Sequence, residues 1–221
     1  MSESQWTALD RYIEDTAVGA NPAAEAALAH QAASGLPAIA VSAAQGKQLQ
    51  LLARAVGARR ILEVGTLGGY SAIWMAQALV AGGKLVTLEL DPHHAAVARE
   101  SFRRAGLDSL IELREGAAAA SLAALHAEKT APFDFAFIDA DKASIPVYFD
   151  WAVKLCRPGA LIVVDNVVRR GALIDAASTD ANVRGVRALH ESLRGDRRVS
   201  ATTIQTVGSK GYDGFTLAVV A

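Results

Sequence analysis

A lone cysteine, Cys156, has no partner in the chain, so no internal disulfide can form and a reducing, cytoplasmic compartment is expected. It sits in the apolar stretch Trp151-Ala-Val-Lys-Leu-Cys156, with no activating motif around it, and reads as a buried thiol. Long hydrophobic runs are missing too. The most apolar stretches, Ile73 to Ala81 and Ala160 to Val164, fall well short of the roughly 20 residues that cross a bilayer. Met1 to Asp15 mixes acids, polar residues and aromatics without an apolar h-region, so no secretory signal is expected there. Charge of one sign is lacking as well: 22 Lys plus Arg face 23 Asp plus Glu, for a formal charge of −1. Without a basic field or a charged tail, neither nucleic acid nor a membrane is the expected partner, and a small molecule is.

What the sequence does have is a core's worth of apolar residues, 52% of 221, arranged in alternating short runs and longer helical patterns. From about residue 42 onward the reading is helix Ser42–Val56, strand Ile61–Val64, turn Gly65–Gly69, helix Ser71–Val80 and strand Lys84–Leu90. It continues with helix Pro92–Ala105, strand Leu110–Leu113, helix Ala117–Glu128, strand Phe133–Ile138, helix Ile145–Leu155 and strand Ala160–Val164. Helix Asn182–Leu193 follows, then strands Val199–Gln205 and Phe215–Val220. Strands apolar on both faces, alternating with helices, predict a doubly wound α/β sheet of about seven strands, mostly parallel. The last two strands have no helix between them, which predicts a C-terminal antiparallel hairpin. Residues 1–40 read as an N-terminal helical segment, broken at Gly19-Ala-Asn-Pro22 and Gly35-Leu-Pro37. No linker divides the chain, so residues 1–221 are expected to form one domain.

Glu63-Val-Gly65-Thr-Leu-Gly68-Gly69-Tyr70-Ser71 follows a strand and opens a helix. Glycines there allow a sharp turn and a close ligand, but the spacing is not that of the dinucleotide fingerprint Gly-x-Gly-x-x-Gly. A carboxylate at Glu63 repels a pyrophosphate and suits a ligand bearing an ammonium. Taken alone, this turn fits a purely structural junction equally well. Glu89 changes the balance: it ends the next strand, where an acid can accept hydrogen bonds from ribose hydroxyls. Together they point to a nucleoside without a diphosphate, such as S-adenosylmethionine.

Two further strand ends carry acids: Phe137-Ile-Asp139-Ala-Asp141-Lys142 and Val163-Val-Asp165-Asn166. In a parallel sheet these ends share the ligand-binding edge, so Asp139, Asp165 and Asn166 should converge. Two carboxylates and an amide oxygen suit a hard divalent cation such as Mg²⁺. Each residue alone fits a helix cap or a turn acid; the three together do not. Lys142, by spacing alone a surface lysine, becomes a candidate base beside a cation, which favours the uncharged amine. His30, His93, His94, His126 and His190 share no spacing or strand-end position, and His93 and His94 read as exposed helix residues.

With these motifs in place, the sequence resembles the metal-dependent class I O-methyltransferase family that includes catechol and caffeoyl-CoA O-methyltransferases, and its small bacterial members best. The resemblance runs through Val41-Ser-Ala-Ala-Gln-Gly46, the Glu63–Ser71 turn, the Asp139–Lys142 and Asp165-Asn166 motifs, Arg169-Arg-Gly171 and Asp213-Gly-Phe-Thr-Leu217. It implies a Rossmann-like fold, a methyl donor touching Val41, Glu63, Gly65, Thr66, Ser71, Glu89, Ala118 and Asp139, and a divalent cation on Asp139, Asp165 and Asn166. Lys142 and Asp139 are the implied catalytic residues, a catechol-like aromatic the acceptor and a homodimer the assembly. Ile145 stands where relatives usually have tyrosine, and Ala117 where they often have Asp or Pro. A nicotinamide oxidoreductase is the rival enzyme class, against which the glycine spacing and the Asp-Asn set argue. A non-catalytic binding protein is the other rival, against which Lys142 argues.

Overall fold

A strand that is apolar on both faces has to be covered twice, and the chain achieves this by passing helices to alternate sides of one sheet. The architecture is that of a computed structural model, which describes residues 2–221. Met1, the first residue of the stretch considered for a leader, lies outside the described residues. The strands are β1 (Arg60–Val64), β2 (Lys84–Glu89), β3 (Ile111–Glu115), β4 (Phe133–Ile138), β5 (Cys156–Asp165), β6 (Val199–Gly208) and β7 (Gly211–Val220). They form one seven-stranded sheet in the order β3-β2-β1-β4-β5-β7-β6. β1 to β5 run parallel, and β7 pairs antiparallel with both β5 and β6, so the expected hairpin is present.

The period of two along each strand divides the core. Phe135 and Phe137 of β4 join Ile61, Ile73 and Leu85 on one face, while Ala136 and Ile138 join Leu62, Val64, Leu122 and Ile162 on the other. The helices are α1 (Glu3–Ile13), α2 (Pro22–Ala33), α3 (Ala43–Ala55), α4 (Tyr70–Ala76), α5 (Pro92–Arg104), α6 (Ala118–Ala127), α7 (Ile145–Leu155) and α8 (Ala181–Leu193). Their starts follow local capping chemistry. Ser42 and Gln45 form a capping box at α3, and Asp91 accepts from the amides of His93 and His94 ahead of Pro92 at α5. None of the described helices is long and apolar enough to cross a membrane.

Three boundaries differ from the sequence reading, each for a local reason. α4 stops at Ala76 rather than Val80 because the chain tightens: Ala78 and Leu79 donate to carbonyls three residues back, and Val80 donates to Ala58 instead. β5 starts at Cys156, directly after α7, with an irregular register opposite Phe133 and Phe135 around Pro158-Gly159. The hairpin is longer than expected, since Thr206, Val207 and Gly208 pair with Asp213, Tyr212 and Gly211, leaving only Ser209 and Lys210 at the tip.

The order of strands positions the site. The chain moves outward from β1 to β2 and β3, then returns to place β4 on the other side of β1. That reversal opens a crevice beyond the carboxyl ends of β1 and β4, where ligands bind in sheets of this kind.

Candidate active site

The turn after β1 is built around close approach. Gly65 has φ of 97°, and a side-chain carbon there would overlap the Asp139 carbonyl at the end of β4. Gly65 therefore lets the β1 and β4 ends lie against each other, with the Asp139 amide donating to the Val64 carbonyl at 2.9 Å. Glu89 closes the turn from the β2 side. Its Oε2 accepts the amides of Thr66 (3.1 Å) and Leu67 (2.8 Å), and its Oε1 accepts the amide of Asp91 (2.9 Å). His94 Nδ1 lies 3.6 Å from Oε1 of the same carboxylate.

Glu63 lies beneath this turn, fully buried. The Ser71 hydroxyl donates to its Oε1 and the Thr87 hydroxyl to its Oε2, both at 2.5 Å. Burial raises its pKa to about 8; the two hydroxyls oppose that, and the Asp139 and Glu89 charges add to it. Ser71 and Thr66, not Glu63, form the wall of the cavity above. That cavity has a volume of about 600 Å³ and is also lined by Val41, Gly65, Glu89, Ala118 and Asp139. Seven of the eight residues implied as donor contacts thus surround one space, and Glu63 stands directly behind it.

The ends of β4 and β5 differ in character. Asp165 is 5% exposed, and its Oδ1 accepts the Asn166 amide at 2.8 Å, with Asn166 in the left-handed region at φ 56°. Burial first, and then the Asp139 charge, push the Asp165 carboxyl well above the usual range, with Lys142 acting against them. Lys142 Nζ donates to Asp139 Oδ1 at 2.6 Å and is itself nearly buried. The one ammonium bonds Asp139 and acts on Asp165 only through its field, and a donor set of two acids and one amide oxygen fits a hard divalent cation. Among the described residues no three His, Cys, Asp or Glu side chains form a group that could hold a metal ion, and the amide of Asn166 is the further oxygen beside the two acids. Asp139, Asp165 and Asn166 line a second, smaller cavity of about 280 Å³, with Gln45, Asp10 and Asp213 on its other walls. Asp139 and Asn166 also line the larger cavity and so separate the two.

Other residues hold this edge in shape. A side-chain carbon at Gly185 of α8 would collide with the Lys142 carbonyl, so a glycine is what lets α8 press against the lysine's backbone. Asp213 accepts amides of Val168, Arg169 and Gly214, all within 3.0 Å, and pins the chain after β5. Ile145 is fully buried in the core, and the nearby hydroxyl is that of Tyr148, which donates to Asp141 Oδ1 at 2.6 Å and lines the larger cavity. Burial raises the Asp141 carboxyl, but the hydrogen bonds from Ser144 and Tyr148 outweigh it and hold the group below its ordinary value. Thr87, Tyr148 and Gly185 were not singled out by the sequence, and His94, read there as an exposed helix residue, is instead half-buried beside Glu89 in the wall of the larger cavity. Tyr148 and Gly185 carry helical spacing that reads as packing, and Thr87 hides within an apolar strand. His94 could have been found from Glu89, five residues earlier across the α5 cap.

The chain is similar to known proteins along its whole length. Residues 20–220 match the family model described as O-methyltransferase. A catechol O-methyltransferase of Niastella koreensis is 49% identical over 220 residues, covering all of both chains. The crystal structure of an O-methyltransferase from Bacillus cereus in complex with SAH superimposes with a TM-score of 0.98 at 52% identity over the whole of both chains. The O-methyltransferase TomG of Streptomyces achromogenes, involved in tomaymycin synthesis and solved with SAM, gives a TM-score of 0.96 at 50% identity, covering 100% of this chain and 99% of that one.

Proposed function

The chain belongs to the O-methyltransferase family, and on that premise we propose that it moves the methyl group of S-adenosylmethionine onto one hydroxyl of a vicinal dihydroxy aromatic acceptor. The observation that carries this reading is the shared wall: Asp139 and Asn166 face both the larger cavity and the smaller one, so a donor in the first meets an acceptor in the second at these residues. A cavity of about 600 Å³ lies within the size range of sites for nucleoside-sized ligands. Glu89 is the residue for the ribose diol, with its orientation fixed by three backbone amides. Ser71, backed by Glu63, and Asp139 serve the amino-acid end of the donor.

Asp139, Asp165 and Asn166 would hold Mg²⁺ or another divalent ion, which supplies Lewis acidity toward the acceptor oxygens. Lys142 donates to Asp139 as an ammonium at 2.6 Å; where a divalent ion takes over that carboxylate, the amine, having given up its proton, would take the proton of the attacked hydroxyl at Nζ. As the oxygen–methyl bond forms, the sulfur–methyl bond breaks and its electrons stay on sulfur. The walls contribute mainly by orienting the two substrates. The protein acts as a homodimer in this reading, with the exposed Leu9, Tyr12 and Ile13 of α1, a helix with no buried residue, as part of the contact. Light scattering at working concentration should give twice 23.1 kDa, and a monomer mass would contradict the dimer.

Labelled S-adenosylmethionine, catechol and Mg²⁺ test the reaction. Label in the mono-O-methylated product is the expected result, and a folded protein that transfers none to any vicinal diol contradicts the reading.

A further inference from the structure

A third cavity, of about 670 Å³, lies between α2, the segment joining α2 to α3, and the hairpin tip. It is as large as the donor cavity and has no part in the reaction described above. Its walls are mainly apolar, with Leu28, Leu36 and Pro37 among them. Gln31 of α2 is part of this wall and 3% exposed, with its amide end packed against Gly68 of the glycine turn.

The cavity adjoins the acceptor side, and shares Ala40, Val41 and Tyr70 with the donor cavity. Ala40, Val41, Ser42 and Lys210 line both this third cavity and the 280 Å³ cavity that holds Asp139, Asp165 and Asn166. The smaller space suits one aromatic ring, being just below the roughly 300–1,000 Å³ typical of sites for whole organic ligands. Anything attached to that ring has the larger space ahead of it. The charge there is one-sided: Glu14, Asp15 and Glu25 line the larger cavity alone, and among the described residues Lys210 at the junction is the one cation in its wall. Glu25 already accepts the Asn21 amide at 3.0 Å, whereas the described residues offer Glu14 and Asp15 no salt bridge.

We propose that this third cavity receives the apolar extension of the acceptor, a chain or second ring that ends in an ammonium rather than a carboxylate. The inference rests on the proposed methyl transfer and names the substrate class within it: dihydroxyaromatics with a neutral or cationic tail, in preference to bare catechol or to tailed carboxylates.

The test is steady-state methylation of three acceptors by the full-length protein with Mg²⁺: catechol, a catechol with a long alkylammonium tail, and the same tail ending in carboxylate. The ammonium compound should exceed catechol in kcat/KM by about tenfold, as burial of a few methylene groups would give, and through KM rather than kcat. Leu28→Trp fills the cavity from a half-exposed helix position and should bring the tailed acceptor down to the level of catechol, with catechol itself unchanged. Ala32→Phe, on the same wall, repeats the blockade should the first variant fold poorly. Glu14→Gln with Asp15→Asn should narrow the gap between the ammonium and carboxylate tails. Equal kcat/KM for tailed and bare catechol, or a tail preference that survives both blocking variants, overturns the inference while leaving the methyl transfer standing. No methylation of any of the three overturns the underlying reading and the inference with it.

Discussion

The two halves of the sheet edge solve opposite problems with the same residue type. At the ends of β1 and β2, Glu63 and Glu89 are satisfied from within the chain, one by two hydroxyls and the other by three backbone amides. At the ends of β4 and β5, the Lys142 ammonium bonds Asp139 alone and Asp165 accepts a single backbone amide, while burial drives Asp165, like Glu63, toward its protonated form. Carboxylates that are fully hydrogen-bonded keep their shape before a ligand arrives; carboxylates left short of positive charge attract one that carries it. The donor half is preorganised, and the catalytic half is completed by what binds there.

The comparison breaks most sharply at Lys142. Lys142→Ala should cut turnover by about 100- to 10,000-fold, the usual worth of a general base, while donor affinity measured by calorimetry stays close to that of the parent. An unchanged turnover with a good acceptor would return Lys142 to a structural partner of Asp139. On the other half, Glu89→Ala should weaken donor binding by about 1.5–3 kcal/mol, since charge-assisted hydrogen bonds are lost and two turn amides are left unpaired. Donor affinity unchanged in a folded variant would show that the ribose lies elsewhere. Gly185→Ala tests whether α8 sets the position of the lysine. The added methyl forces α8 and residues 142–144 apart, at about 1–3 kcal/mol of stability. Turnover should fall with it, while donor KM holds.

A separate expected signal is the pH dependence of stability. The Glu63 carboxyl has a folded pKa of about 8 against an ordinary 4.5, so the folded state holds a proton that the unfolded state releases. Its contribution is complete below pH 4.5 and is lost as pH rises toward 8, with a slope of at most about 1.4 kcal/mol per pH unit for one proton. Glu63→Gln should flatten the decline in melting temperature between pH 5 and 8. A slope identical in the two proteins would mean that Glu63 is ionised in the fold.

The sequence was most informative where chemistry sits at an element's end. Gly65, Glu89, Asp139, Asp165 and Asn166 are all strand-terminal, and parallel strands bring such ends together whatever the details of packing. β1, β2 and β4 were legible for the same reason, as apolar runs bounded by turns. What lay hidden was the support. Thr87 is a polar residue inside a buried strand, and its value depends on Glu63 being its neighbour across the β1–β2 register, which pairs these two residues. Gly185 matters only because α8 crosses the turn after β4, a contact between segments far apart in the chain. The hairpin tip was misjudged because Gly208 and Gly211 read as loop glycines, yet they face each other as the last pair of the ladder. Ile145 shows the reverse: a departure from the family pattern that looked relevant to Lys142 belongs to the core, and Tyr148 supplies the hydroxyl from the next turn of α7.

The central claim is that the β4–β5 half is incomplete without a divalent cation and the β1–β2 half is not. The measurement that meets it most directly pairs donor binding with methyl transfer to catechol, on protein stripped with chelator and then titrated with Mg²⁺ or Mn²⁺. The account predicts that stripped protein binds S-adenosylmethionine with near-normal affinity but transfers nothing, that the added ion restores turnover, and that Asp165→Ala abolishes the restoration or raises the ion concentration it needs. Full transfer by the stripped protein in chelator would contradict it, and with it the role given to Asp139, Asp165 and Asn166.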